Sequence, residues 1–222
     1  MRAFGIDPGS RYTGWAVVEA DGSRVRMVDC GVIAAGERSP LEARLETIFA
    51  DLDRLLARHA PDAGYLESIF HHKSARSALV LGHARGVALL ALGRAGLPVR
   101  EISPAEVKKA VTGRGRADKA QVQSMVRVLL GLPEVAQADA SDALAVAFAG
   151  VARGRLEARL GRAERPRAGG PCSGSPRTGS PRTEVDPAES GRTGSGLGAS
   201  SARGSRVAEA RAAWIAARGS KR

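Results

Sequence analysis

Three β-rich runs joined by short turns open the chain, and this arrangement constrains the fold more than any other feature. The run Arg2–Asp7 ends at Pro8-Gly9, and Asp21-Gly22 separates the runs Tyr12–Ala20 and Arg24–Ala34. Strands joined by such short connections pair antiparallel, and Asp-Gly is a common hairpin turn. The first 34 residues therefore predict three antiparallel strands.

Helices and strands alternate after these three strands. Two further apolar runs predict a fourth strand, Tyr65–Phe70, and a fifth, Val99–Ile102. Capping residues and apolar periodicity predict helices that begin near Ser39, Ser74, Ser103, Asp118 and Gln137. Strands reached through helices run parallel to their neighbours. The expected fold is therefore α/β, a five-stranded mixed sheet flanked by helices, which is the ribonuclease H-like arrangement.

The composition changes near Arg153, where we expect the last helix to end. Beyond it Gly, Pro, Ser and Arg dominate, and Gly-Ser-Pro-Arg-Thr occurs twice in succession from Gly174. Such a sequence cannot bury enough apolar surface to offset its ordering entropy. We therefore predict a folded domain over residues 1–155 and a mostly disordered C-terminal tail over 156–222, in which only 206–218 favours a short helix.

The positive charge is concentrated in this tail. The whole chain carries a net +11, and residues 154–222 hold 14 Lys and Arg against 6 Asp and Glu, a net +8. The charge suggests an anionic partner, but any nucleic-acid role of the domain depends on where its own charges lie. Cys30 and Cys172 do not make a disulfide framework, and Asp7 falls where a signal peptide would continue apolar. No uninterrupted apolar run reaches the ~18 residues of a membrane span, so we expect a cytoplasmic protein.

Four carboxylates stand in unusual settings. Asp7 ends the first strand, Glu67 interrupts an apolar strand, and Asp139 and Asp142 begin a nearly uncharged helix on one of its faces. If the first and fourth strands are neighbours, all four meet at one end of the sheet. Each alone has a structural explanation, such as a turn or a helix start, but four together repel one another unless cations neutralise them. Hard oxygen ligands in this number suit Mg²⁺ or Mn²⁺, and a pair of such ions supports phosphodiester hydrolysis.

Several motifs carry a specific resemblance to a known family. They are Phe4-Gly-Ile-Asp-Pro-Gly9, Thr13-Gly-Trp15, Glu67-Ser-Ile-Phe70, Leu81-Gly-His-Ala-Arg-Gly-Val87, Pro104-Ala-Glu-Val-Lys108, Lys119-Ala-Gln-Val-Gln123 and Gln137-Ala-Asp-Ala-Ser-Asp-Ala143. In this order they cover nearly all of residues 1–153, which closely resemble the RuvC family of bacterial Holliday junction resolvases. The basic tail departs from the family, whose members usually stop soon after the last helix.

The resemblance implies a chemistry and partners. It implies that Asp7, Glu67, Asp139 and Asp142 hold two Mg²⁺ ions, for which Mn²⁺ can substitute. It implies a homodimer that nicks two opposed strands of a four-way junction symmetrically, leaves ends that ligase can seal, and works with the branch-migration complex RuvAB.

Basic and aromatic residues near the predicted site are candidates for DNA contacts. Lys119 lies in the first turn of a helix, where a cation opposes the helix dipole, so an external anion or a solvated surface position explains it. Phe70 is either a core aromatic or, as the resemblance favours, a loop residue that stacks on unpaired junction bases. The expected DNA contacts are Phe70, Lys73, Arg76, Lys108, Arg114, Arg116 and Lys119.

Gly82 and Gly86 leave a smooth patch on one predicted helix. Small residues permit close approach either to the sheet or to a second copy of the helix, and the resemblance favours the second copy.

Three other functions remain open from the residues. The first is an actin-like ATPase or sugar kinase, a fold that needs a second domain. The second is a non-catalytic DNA-binding module, which would not need all four acids. The third is another ribonuclease H-like nuclease, which would differ from a resolvase only in its substrate.

Overall fold

The computed structural model describes residues 1–68, 74–134 and 136–163. Its strands are β1 (Arg2–Asp7), β2 (Tyr12–Asp21), β3 (Arg24–Ala34), β4 (Ala63–Glu67) and β5 (Val99–Ile102). Its helices are α1 (Leu41–His59), α2 (Ala75–Arg94), α3 (Pro104–Thr112), α4 (Lys119–Leu130) and α5 (Ala138–Ala163). The predicted ribonuclease H-like arrangement of strands and helices is confirmed. The predicted helix 206–218 lies outside the described residues.

The five strands form one mixed sheet in the order β3-β2-β1-β4-β5. β1 pairs antiparallel with β2 and parallel with β4, and β4 pairs parallel with β5. Ile6 lies opposite Leu66 in the β1–β4 register. The next residues along the two strands are Asp7 and Glu67, so the topology places both carboxylates at the same end of the sheet, as predicted.

The sheet separates two apolar layers. Phe4 and Ile6 of β1 are fully buried against α1 and α2, whereas Ala3 and Tyr65 are buried against the layer that contains α5. This alternation follows from the two-residue period of a strand. Tyr65 and Glu67 share a parity, so Glu67 belongs to the α5 side of β4.

Two glycines allow α5 to lie directly on the sheet. A Cβ atom on Gly5 would fall 2.4 Å from the carbonyl oxygen of Ala143, and one on Gly14 would fall 2.0 Å from that of Asp139. Such distances are far inside van der Waals contact, so any larger residue would push the helix away. The approach of α5 therefore brings Asp139 to the end of β1.

Besides shifts of one or two residues, such as the start of β4 at Ala63 in place of Tyr65, three element boundaries differ from the sequence prediction. α1 begins at Leu41 with Pro40 as its N-cap and no side-chain cap, so the capping box predicted from Ser39 is wrong. Pro40 is extended, with ψ of 158°, and therefore lies outside the helix. β4 ends at Glu67, and the predicted strand residues Ile69 and Phe70 lie outside the described residues.

The third difference is the length of α5, which continues ten residues beyond its predicted end at Arg153. Glu157 accepts hydrogen bonds from Arg100 and Arg153, and Arg155 donates to the carbonyl oxygens of Gly22 and Arg24 at 2.6 and 3.0 Å. Leu, Glu and Arg are good helix formers, so a composition rich in Arg did not stop the helix. α5 crosses the boundary predicted between residues 155 and 156.

The length and apolar composition of α2 alone would allow it to cross a membrane, contrary to the expectation that no run does. Gly, His and Arg interrupt the run without lowering its average hydropathy enough to fail that criterion. One face of α2, with Ala84, Ala88 and Leu92, is buried in the layer shared with α1, and its other face is exposed.

Candidate active site

The turn after β1 holds Asp7 in place. The fully buried Thr13 donates a hydrogen bond from its hydroxyl to the carbonyl oxygen of Gly9 at 2.7 Å. Arg44 of α1 donates to the carbonyl oxygen of Ser10 at 3.3 Å. These contacts tie the chain that follows Asp7 both to β2 and to α1, so the carboxylate projects from a rigid strand end.

Three of the four predicted acids converge. One carboxylate oxygen from each of Asp7, Asp139 and Asp142 lies within 4.8 Å of the others, and all three residues are half-buried. Asp139 and Asp142 are three positions apart on α5, which puts them on the same face of the helix. Oxygen atoms at this separation can share one hard cation.

Glu67 lies beside this trio but is not part of it. It lines a cavity of about 270 Å³ together with Asp142, Lys108 and Lys119. Burial, followed by the charge of Asp142, raises the pKa of Glu67. The fourth carboxylate therefore extends the negative site along the end of the sheet, and its charge acts on Asp7 as well.

Among the four acids, Asp7 has the most strongly raised pKa. Burial first, and then the charges of Glu67, Asp142 and Asp139, together raise the pKa of Asp7 from 3.8 to about 7. A nearby cation would favour the charged form of such a carboxylate and offset its repulsion with the other acids. The acidic cluster is thus suited to bind metal.

We expect metal-free protein to become less stable as the pH rises, because Asp7 must then ionise in a buried site among other acids. Protonated Asp7 contributes stability that is complete below about pH 4 and is lost as the pH passes through about 7, because its folded-state pKa is raised. Asp7→Asn should abolish this loss, which amounts to a few kcal/mol at most. Thermal unfolding of both proteins in EDTA at pH 5 and pH 8 checks this. A stability difference between them that is the same at both pH values would contradict it.

Lys119 provides a positive charge inside the site. Its Nζ donates to Oδ2 of Asp142 at 2.6 Å, and this hydrogen bond is the largest of the influences that raise its pKa. From the sequence, either an external anion or a solvated surface position accounted for Lys119, which opposes the dipole of α4. The structure supplies an internal anion instead, because α5 brings Asp142 to the start of α4.

Of the other predicted DNA contacts, one lines the cavity, three are exposed elsewhere, and two lie outside the described residues. Lys108 is half-buried and lines the cavity, whereas Arg114 and Arg116 are exposed between α3 and α4. Arg76 is exposed in the first turn of α2. Phe70 and Lys73 lie outside the described residues.

Sequence analysis missed the residues that support the acids. Thr13 and Arg44 fix the turn after Asp7, and Arg85 of α2 donates to the carbonyl oxygen of Glu67 at 2.5 Å. One signal was present, since Arg85 is a charged residue in the middle of an otherwise apolar helix segment. Its partner lies 18 residues away, which no local pattern reveals.

Comparison with known proteins gives consistent matches. Residues 3–150 match the family model of crossover junction endodeoxyribonuclease RuvC. A crossover junction endodeoxyribonuclease RuvC from Syntrophotalea carbinolica is 57% identical over 148 residues, which cover 67% of this chain and 92% of that relative. Another, from Trichlorobacter lovleyi, is 52% identical over 148 residues, 67% of this chain and 83% of that relative.

Solved structures agree with these relatives. The structure of Thermus thermophilus RuvC in complex with a Holliday junction substrate matches with a TM-score of 0.68 and 34% identity, covering 71% of this chain and 96% of that one. The yeast mitochondrial Holliday junction resolvase Ydc2, at 13% identity and a TM-score of 0.52, shares the fold, with 72% of this chain and 82% of that chain covered. The family match over residues 3–150 and the identity of 57% establish that this chain belongs to the crossover junction endodeoxyribonuclease RuvC family.

Proposed function

We propose that this chain is a Holliday junction resolvase, which hydrolyses two opposed strands of a four-way DNA junction as a homodimer. The convergence of Asp7, Asp139 and Asp142 at the sheet end carries this proposal, because it supplies the acidic centre that metal-dependent phosphodiester hydrolysis needs. The T. thermophilus relative is bound to a Holliday junction substrate, which supports the same substrate here.

The donor set fits Mg²⁺. All four side chains offer carboxylate oxygens, and burial followed by the charges of the neighbouring acids raises the pKa of Asp7. Mg²⁺ prefers such oxygens and retains several waters, and Mn²⁺ accepts the same ligands. We infer that Asp7, Asp139, Asp142 and Glu67 hold two ions per subunit. When bound, the ions activate a water and stabilise the leaving oxygen of the phosphodiester.

Basic side chains beside the acids fit the phosphates of a junction. Lys108 and Lys119 line the same cavity as Glu67, and Arg114 and Arg116 extend the basic surface from the connection between α3 and α4. A row of cations beside an acidic centre draws the DNA backbone to the site by counterion release. Contacts from Arg76, and from Phe70 and Lys73 outside the described residues, remain predictions from the sequence.

The exposed face of α2 fits a second copy of the chain. Gly82 and Gly86 are exposed, and a Cβ atom on either would meet no atom within 4 Å. Leu79 and Leu90 are 64% and 55% exposed on the same helix, where they line a shallow apolar cavity of about 700 Å³. Apolar side chains around small residues suit a two-fold contact between identical helices. RuvAB as a further partner follows from the family resemblance alone.

A cleavage assay with matched substrates tests the proposed function. A synthetic four-way junction and a linear duplex of the same sequence are incubated with the purified protein, with and without Mg²⁺. We expect paired nicks in the junction only, and only with Mg²⁺. Equal cutting of the duplex would favour a different ribonuclease H-like nuclease, and cutting in EDTA would contradict the metal centre.

We propose that the residues after α5 bind DNA without preference for sequence or structure. The proposed organisation is a nuclease domain followed by a basic tail. The proposed substrate is DNA in the cytoplasm. Residues 164–222 carry 11 Lys and Arg against 5 Asp and Glu. A basic segment of this kind binds DNA mainly through release of counterions, which depends steeply on salt.

Truncation after Ala163 tests this role while leaving α5 whole. We expect a dimer that still selects junctions over duplex, with lower affinity for both DNAs and a shallower dependence of log K on log salt. Fluorescence anisotropy at several salt concentrations measures both slopes. Equal slopes for the two proteins would show that the extension is inert, and lost junction selectivity would place recognition outside the domain.

A further inference from the structure

Arg85 has an unusual position in α2. It is the one charged side chain between Arg76 and Arg94 in this helix, and only 12% of it is exposed. A guanidinium taken out of water is costly unless its donors are paired. Its partners therefore indicate why the chain keeps an arginine at this point.

Both ends of its planar fork are used. Nη1 donates to the carbonyl oxygen of Glu67 at 2.5 Å, and Nη2 lies 2.7 Å from Oε1 of Glu101. Glu67 is the last residue of β4, and Glu101 lies in β5. One side chain from α2 thus joins the ends of two parallel strands. A lysine cannot reproduce this geometry, because its ammonium group lacks the rigid planar fork of a guanidinium.

The contact lies on the opposite side of Glu67 from its carboxylate. Tyr65 and Glu67 share the α5 side of β4, and the Glu67 side chain lines the cavity with Asp142. Arg85 reaches the same residue from the α2 layer, through its backbone carbonyl. Because Glu67 ends the strand, the direction of its carboxylate depends on how firmly this backbone is held.

We propose that Arg85 is a positioning residue for the metal centre, which holds the Glu67 backbone so that its carboxylate faces Asp142. The proposal rests on the proposed function, since it takes Glu67 to be a metal ligand. Groups that orient a ligand without touching the metal commonly change metal affinity by about 10- to 100-fold when removed. Arg85 touches neither the predicted metal ligands' carboxylates nor the basic cavity wall in the described contacts.

Three variants separate this role from general support of the fold. Arg85→Met removes both contacts, and Arg85→Lys keeps the charge without the fork. Glu101→Gln is the matched control, because the amide oxygen still accepts from Nη2 while Nη1 keeps its bond to Glu67. Mn²⁺ affinity by titration calorimetry is the main measurement. Thermal unfolding in EDTA, subunit mass in solution and junction binding in Ca²⁺ accompany it.

We expect Arg85→Met to bind Mn²⁺ at least about tenfold more weakly, and to need correspondingly more Mg²⁺ for half-maximal cleavage. Junction binding in Ca²⁺ and subunit mass should remain unchanged. Arg85→Lys should be intermediate, and Glu101→Gln close to the unmodified protein. If Arg85→Met fails to fold, Arg85→Lys carries the test alone.

Mn²⁺ affinity equal to that of the unmodified protein, in whichever of the two Arg85 variants folds, would overturn the proposal. Asp142→Asn distinguishes this result from failure of the metal site itself. If Asp142→Asn weakens Mn²⁺ binding and the Arg85 variants do not, only the role of Arg85 is wrong. If Asp142→Asn also binds normally, the proposed metal centre is wrong and the role of Arg85 falls with it.

Discussion

Asp7→Asn protein is expected to bind four-way junctions normally and to cut them at least 10²–10³-fold more slowly, because the acidic centre loses a charge on which transition-state stabilisation depends. Metal ions contribute several kcal/mol to such stabilisation, and each 1.36 kcal/mol corresponds to a factor of ten in rate. Asp7 interacts with all three other acids, because the charges of Glu67, Asp142 and Asp139 each raise its pKa. Its replacement leaves the basic surface that we propose binds DNA unchanged.

Single-turnover cleavage with excess protein separates the chemical step from binding. Asp51→Asn is the matched control, because Asp51 carries the same charge in an ion pair with Arg54 on the surface of α1 and such pairs contribute little. Replacing Mg²⁺ with Ca²⁺ should give the same phenotype in unmodified protein, since Ca²⁺ relaxes the required geometry. Cleavage by Asp7→Asn at the rate of the control would refute the assignment of Asp7 to the metal centre.

Gly86→Glu protein is expected to be a folded monomer. The glycine faces open space within one chain, so the new side chain meets no obstacle in the monomer, and a helix interior favours Glu over Gly by about 0.5–1 kcal/mol. In a two-fold contact the substitution appears twice, and each buried unpaired charge costs a few kcal/mol. The dimer dissociation constant should therefore rise by at least about 100-fold.

The functional consequence should be loss of paired cutting. A monomer presents one acidic centre to the junction, so nicked but unresolved junctions should accumulate. Light scattering across a concentration series measures the association, and a supercoiled cruciform substrate distinguishes one nick from two. Val128→Glu is the control, because it adds the same charge to a side chain of α4 that is 71% exposed. A Gly86→Glu protein that remains dimeric would place the interface on another surface.

The sequence alone determined the elements and the identity of the acids. Apolar alternation and Asp-Gly located β2 and β3 within one residue, and Ser103 and Asp118 form the predicted capping boxes of α3 and α4. These signals are local, because a cap or a turn depends on residues within about four positions. Glu67 stood out for the same reason, as a charge inside an apolar strand.

Tertiary structure alone decided how those residues meet. The pairing of Lys119 with Asp142 joins residues 23 positions apart, and the contact of Arg85 with Glu67 depends on how α2 packs on the completed sheet. Beyond Arg153, local helix propensity allows α5 to continue, and the contact of Glu157 with Arg100, 57 positions away, ties the extension to the sheet. Local patterns record which side chains a segment can offer, whereas burial and charge at a site depend on which segments the folded chain brings together.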